Sequence, residues 1–237
     1  MQQRIPSLLA DPIGFAHRGA RAYARENTIE AFELALAQGA TGLESDVWLT
    51  ADGVPVLDHD GLVGRRRPRR RRIRTLAREE LPAHIPGLAD VLALCGPSVH
   101  VSLDVKDPEA GPAVVELLER AHPEMRPRVW LCSSWQQLLP LRGSGVKLVD
   151  STRLHRIGEG PERRAATLAE HGIDAINLHH SDWNGGLVTL FHRFERVAFA
   201  WDVQQPHLLE SVWRMGIDGL FSDHPDRMMA TRRDVLG

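Results

Sequence analysis

Short apolar runs alternate with amphipathic stretches along most of this chain, and the alternation sets the expected elements. Extended segments are expected at Ile13–Ala16, Thr41–Thr50, Val99–Val105, Arg128–Cys132, Val146–Val149, Asp174–Leu178, Arg196–Trp201 and Ile217–Phe221. Between them Pro112 to Ala121, Trp135 to Leu141, Pro161 to His171, Gly186 to Phe194 and Pro206 to Met215 read as helices. A further helix should run from an Asn27 cap to Gln38. Glu30 completes a capping box, Ile29, Phe32 and Leu36 form the apolar face, and Gly39 ends the helix. Asp52-Gly53 predicts a two-residue hairpin turn, with Val54–Leu57 running back along the second strand. Eight parallel strands alternating with helices predict a (β/α)8 TIM barrel, an α/β fold, here with an extra β-hairpin arm after strand 2. A doubly wound open sheet needs fewer strands and a glycine-rich phosphate turn that this sequence lacks.

The length of 237 residues suits one barrel domain over 1–237, and the stretch between His59 and Ile85 is too short for a large insertion domain. With 43% hydrophobic residues a proper core is available, and a net charge of -2 argues against general nucleic-acid binding. No apolar run approaches the roughly 18 residues of a membrane span. The N-terminal apolar stretch is too short for a secretion signal. Cys95 and Cys132 form neither a CxxC pair nor a disulfide framework, and both sit in apolar surroundings as expected of buried thiols. A reducing cytoplasm fits.

Candidate chemistry gathers at the carboxyl ends of the expected strands, where barrel enzymes keep their active sites. His17-Arg18-Gly19 follows the first strand and offers an acid/base imidazole beside a guanidinium that can grip an oxyanion. Glu44 and Asp46 are two apart on one strand and so face one way. In the expected hairpin register Asp46 lies opposite His59 of Asp58-His59-Asp60. Ser102, Asp104 and Lys106 share a face of the next strand. Glu44, Asp46 and Asp104 at one mouth would form a hard, oxygen-rich site of the kind Mg²⁺ or Ca²⁺ prefers, and could not all ionise so close together without a cation. Only two of 29 basic residues are lysines, Lys106 and Lys147. Lys106 therefore reads as a point charge for a phosphate or a ligand carboxylate. Trp201, at a strand end, would wall a small-molecule pocket.

Phe15-Ala-His-Arg-Gly19, Glu26-Asn-Thr28, Glu44-Ser-Asp46, Leu57-Asp-His-Asp60, Ile85–Leu92, Trp201 and Gly216–Pro225, in that order, resemble the glycerophosphodiester phosphodiesterase family over nearly the whole chain. The resemblance implies a (β/α)8 barrel hydrolysing a glycerophosphodiester to glycerol 3-phosphate and an alcohol with a divalent cation. It implies His17 and His59 as the acid/base pair, Glu44, Asp46 and Asp104 as metal ligands, and Arg18 as a phosphate contact. The attacking group is either water or the substrate's own glycerol hydroxyl, the route through a cyclic phosphate that the family likeness favours. Two departures stand out. The family usually carries glutamate where Asp104 stands, and Trp201-Asp202-Val-Gln204 replaces a Trp-Thr-Val-Asn, adding an acid near the mouth.

Three other features carry rival readings. The run from Arg65 to Arg74 holds eight arginines and reads as a solvated loop, a steering patch for anionic substrates, or an anion-binding arm on an inactive barrel. His179-His180 with Asp182 could form a second metal site. Trp48 is either core or pocket wall. A lysophospholipase-D-like activity on lysolipids is an alternative that would need exposed apolar residues round the mouth.

Overall fold

The computed structural model describes residues 4–64 and 70–237. Eight strands form the barrel: β1 (Ile13–His17), β2 (Gly42–Leu49), β3 (His100–Val105), β4 (Val129–Ser133), β5 (Lys147–Ser151), β6 (Ala175–His179), β7 (Val197–Trp201) and β8 (Gly219–Ser222). Each pairs in parallel with its sequence neighbour, and β1 pairs with both β2 and β8, so the sheet closes. Closure is the TIM-barrel arrangement and removes the free edges an open sheet would keep. A helix follows each strand: α1 (Ile29–Ala37), α2 (Leu88–Cys95), α3 (Ala110–Ala121), α4 (Trp135–Leu138), α5 (Pro161–Glu170), α6 (Gly185–Arg193), α7 (Pro206–Arg214) and α8 (Pro225–Leu236).

Strand alternation separates two apolar layers. Inward residues Ile13, Phe15, Trp130, Cys132, Val149, Ala175, Val197, Phe199 and Phe221 fill the barrel. Phe15 stacks on Phe221 at 4.7 Å and meets Phe199 edge-on at 5.4 Å. Gly42 and Gly219 make room for these rings: a Cβ at Gly42 would lie 2.5 Å from the Phe15 ring, and one at Gly219 2.8 Å from Phe199. Outward residues pack under the helices, where Ala110, Val114 and Leu118 of α3, four apart, give that helix its buried face. Cys95 and Cys132 are buried and unpaired.

Several local details differ from expectation. Thr28, not Asn27, caps α1, its side chain accepting the Ala31 N–H. Asn27 is diverted: it sits at φ 54 and its side-chain oxygen accepts from Ser45 Oγ at 2.7 Å. Helices α2 and α8 were not expected as such. In α8 Met228, Met229, Val235 and Leu236 share one face, but residues 230–234 between them carry no large apolar side chain. Met228 and Met229 pack against Gly14 of β1, and the helix also packs on α7.

The hairpin arm at Pro55–Leu57 pairs antiparallel with β2, matching Val47 with Leu57, Trp48 with Val56 and Leu49 with Pro55. The loop is three residues, Ala51-Asp52-Gly53, with Gly53 at φ 80, not the two-residue turn expected from Asp-Gly. That extra residue shifts the register by one. Asp58 therefore lies opposite Asp46, its N–H donating to the Asp46 carbonyl at 3.1 Å, and His59 does not. Trp48 packs with Val56, Ile73, Leu76, Leu81 and Ile85 beneath this arm, so it is core and not pocket wall.

Candidate active site

The carboxyl ends of β1, β2 and β3 bring the acidic and cationic residues together. His17 closes β1 and lies beside Glu44 in the β1–β2 register, while Asp46 lies beside Asp104 in the β2–β3 register. These residues, with Arg18, Lys106 and Trp201, line one cavity of about 390 Å³. The structure thus brings seven of the eight expected site residues to a single mouth.

His17 is held by Asp223, a residue the sequence places at the end of the last strand without assigning it a role. Its Nδ1–H donates to Asp223 Oδ1 at 2.6 Å, which leaves Nε2 free of that proton and 3.8 Å from Glu44 Oε2. A carboxylate at Nδ1 fixes the tautomer and the ring plane, as in other acid/base histidines. Burial alone would lower the His17 imidazole, but Glu44 and the Asp223 hydrogen bond outweigh it and raise its pKa above the ordinary 6.5. In turn the imidazole and Arg21 hold Asp223 below the usual carboxylate value against its own burial. The position of Asp223 at the end of β8 was the available signal for it.

Glu44 and Asp46 are almost fully buried, at 5% and 2% exposure. Burial raises the Glu44 pKa, with Asp46 and Asp104 adding to the rise while His17 opposes it. Asp104 is raised chiefly by desolvation, although Lys106 pulls the other way. Backbone geometry serves the same cluster: Arg18 adopts φ 53, a left-handed conformation that costs a non-glycine residue about 1–3 kcal/mol, and its N–H donates to Glu44 Oε2 at 3.0 Å.

Glu44, Asp46 and Asp104 each offer an oxygen within 4.8 Å of the others. The shorter aspartate at 104 therefore still reaches the cluster. Asp46 Oδ2 is buried and accepts no hydrogen bond, although Arg18 Nε stands 3.5 Å away, itself unpaired. Three oxygen ligands, two of them buried, with the pKa values of Glu44 and Asp104 raised and one Asp46 oxygen unsatisfied, fit a hard divalent cation. Lys106 Nζ contributes positive charge here, 3.0 Å from Asp46 Oδ1 and 3.1 Å from Asp104 Oδ2. Solvent loss would lower this lysine, yet Asp104 and Asp46 hold it above the ordinary range.

His59 stands apart. It lines a neighbouring depression with Arg25, Glu26, Asp58 and His84, and its Nδ1 bonds to the adjacent Asp60 at 2.8 Å. Arg18 of the main cavity and Glu26 of that depression pair at 3.1 Å. The one-residue hairpin shift is the physical reason His59 does not face Asp46.

Across the mouth, Trp201 lies beneath the Arg153 guanidinium at 5.6 Å and edge-on to His179 at 4.6 Å. Asp182 belongs to Arg153, which it binds through two contacts at 2.7 and 3.2 Å, so the expected His179-His180-Asp182 grouping does not form. Asp202 takes its place beside the two histidines. However, His179 Nδ1 accepts the Ser181 N–H, which puts the ring proton on the Nε2 that faces Asp202 and blocks that nitrogen as a ligand. In the arginine run, residues 65–69 lie outside the described residues. Arg70 and Arg71 pair with Asp60 and Glu80.

Comparison with known proteins agrees with this geometry. Residues 17–119 match the model of the glycerophosphoryl diester phosphodiesterase family. A glycerophosphodiester phosphodiesterase of Bacillus altitudinis is 27% identical, over 93% of this chain and 98% of that protein. Among solved structures, the glycerophosphodiester phosphodiesterase of Thermotoga maritima superposes with a TM-score of 0.81 at 24% identity, covering 94% of this chain and 100% of that one. An Oleispira antarctica phosphodiesterase, solved in complex with sn-glycerol-3-phosphate, superposes at 0.80 with 22% identity, covering 94% and 97%.

Proposed function

Because the chain belongs to the glycerophosphodiester phosphodiesterase family, we propose that this enzyme hydrolyses glycerophosphodiesters to glycerol 3-phosphate and an alcohol, with a divalent cation, Mg²⁺ or Ca²⁺, at Glu44, Asp46 and Asp104. The observation that carries the reading is the joining of this buried acidic trio to the His17–Asp223 pair at one barrel mouth. When bound, the cation would neutralise charge on the non-bridging phosphate oxygens.

The chain's own residues supply the rest. Arg18 and Lys106 bring two cations to the cavity for the phosphate monoanion, which otherwise repels a nucleophile. His17, oriented by Asp223, exchanges a proton with the reacting oxygen through Nε2. We assign the second proton transfer to His59. His59 shares its depression with Glu26, which pairs with Arg18 of the main cavity, so the second imidazole stands beside the phosphate-binding side of the site. Trp201 forms the far wall against the organic part of the substrate.

A small, water-soluble diester fits better than a lysolipid. Among the described residues the large hydrophobics left exposed are Leu8 and Tyr23, and Tyr23 is tied to Asp226 at 2.8 Å, so no apolar apron for an acyl chain surrounds the mouth. No helix among the described residues is long and apolar enough to cross a membrane. We place the enzyme in the cytoplasm, as one catalytic domain with no specific nucleic-acid partner. The test is release of glycerol 3-phosphate from glycerophosphocholine and glycerophosphoglycerol with Mg²⁺, Ca²⁺ or Mn²⁺. Activity should vanish with chelator and return with the ion. No release with any of the three would overturn the reading.

A further inference from the structure

The cavity has a second wall that the hydrolytic chemistry does not use. In the strand order β2 is four strands from β6, so the acidic wall of β1–β3 faces a wall supplied by β5, β6 and β7 across the barrel. That wall carries two guanidinium groups, Arg153 and Arg156, both lining the cavity. Arg153 is pre-oriented: Nε and Nη2 are committed to Asp182, and the planar group lies over Trp201, leaving Nη1 without a protein acceptor among the described residues. Arg156 is exposed and pairs with no acid among the described residues.

An independent observation marks this wall as a binding surface. Asn177, only 5% exposed, lies beside Ser151 in the β5–β6 register, and its Oδ1 has no hydrogen-bond partner. A buried amide oxygen facing a cavity costs free energy until a donor arrives, and a substrate hydroxyl is such a donor. Of the two acids beside the guanidinium pair, Asp182 is bound to Arg153, and Asp202 accepts from Gln204 Nε2 at 3.2 Å and faces His179 Nε2 at 3.4 Å. Its charge is thus partly answered within the protein, whereas that of Arg156 is not.

We propose that Arg153 and Arg156 form a subsite for a second anionic group, a phosphate or a carboxylate, on the alcohol arm of the diester, with Asn177 accepting a hydroxyl of the same ligand. The inference rests on the hydrolytic reading above and narrows its substrate class. With the scissile phosphate at the acidic wall, one ester arm extends across the mouth, and the guanidinium pair meets its far end. Planar guanidinium groups suit both anions.

A matched set of substrates tests it. Glycerophosphoglycerol and its terminally phosphorylated form differ only in the added phosphate; glycerophosphoserine supplies a carboxylate and glycerophosphocholine a cation. The expected result is a kcat/KM about tenfold higher for the phosphorylated form than for glycerophosphoglycerol, carried by KM and weakened by salt. Glycerophosphocholine should be poorest, and glycerophosphoserine separates the carboxylate from the phosphate source. Arg156→Ala, at an exposed position, should shrink the preference, and Asn177→Ala should raise KM for hydroxyl-bearing alcohols. Calorimetric titration of the same ligands with chelator present separates the two claims. Preferential binding without turnover would sink the hydrolytic reading alone. Equal binding and turnover of the matched pair, or a preference that Arg156→Ala leaves intact, would sink the subsite.

Discussion

His17 and His59 come from signatures of one kind, a histidine beside a charged neighbour at the end of an extended segment, yet the barrel places them in unlike surroundings. The His17 side chain is 26% exposed, fixed by Asp223 from β8 and flanked by Glu44 from β2. The His59 side chain is 42% exposed, and its bonded partner is the adjacent Asp60. One histidine is positioned by three strands of a closed sheet. The other depends on a short hairpin arm and its turn. Burial and second partners come from closure, and a loop residue outside it stays adjustable.

The largest expected effect lies on the fixed side. His17→Ala should lower kcat by about 10²–10⁴-fold, the usual worth of a general acid or base, measured in steady state with the cation saturating. Asp223→Asn should follow it at about 10–100-fold by releasing the ring. His59→Ala tests the adjustable side. A loss near 10²-fold is expected with a poor alkoxide leaving group, and most of it should disappear with a nitrophenolate that needs no protonation. Equal loss with both leaving groups would make His59 a structural residue and leave His17 alone in proton transfer.

A pH series in chelator sharpens the contrast further. The folded-state pKa of His17 is raised, so the stability it contributes is fully present below about 6.5, its unfolded value, and is lost as pH rises through the elevated folded value. Asp223, lowered in the fold, adds stability above its unfolded value near 3.8 and loses it as pH falls through the depressed one. Urea melts of wild type and His17→Gln should therefore differ most between about pH 4 and 6.5. The smallest effect belongs to the turn. Gly53→Ala meets no neighbour within 4 Å, so its cost is only that of φ 80 for an L residue, about 1–2 kcal/mol, and cation binding at the acidic trio should be untouched.

The acidic trio was legible because strand geometry is local. Glu44 and Asp46 share a face by the two-residue period, and Asp104 follows from the same alternation on the next strand. His59 was not legible to the same degree, since Asp52-Gly53 supports both a two-residue and a three-residue loop and one residue reverses the face. The pairing of Asp223 with His17, and Asn177 altogether, escaped for another reason. The partner of Asp223 lies 206 residues away, and Asn177 is marked only by burial with an unpaired oxygen, so no local pattern shows either. Helix α8 carries no large apolar residue between Met229 and Val235, so its apolar face is interrupted in the sequence.

By itself the sequence determined the alternation of strands and helices, the strand ends at which chemistry gathers, and the residue types able to hold a cation and move a proton. Those depend on short-range periodicity and side-chain chemistry. Which carboxylate orients His17, where His59 points, and which side chains face the acids across the mouth were decided only by closing the sheet, because ring closure and loop length set distances that no neighbour in sequence controls.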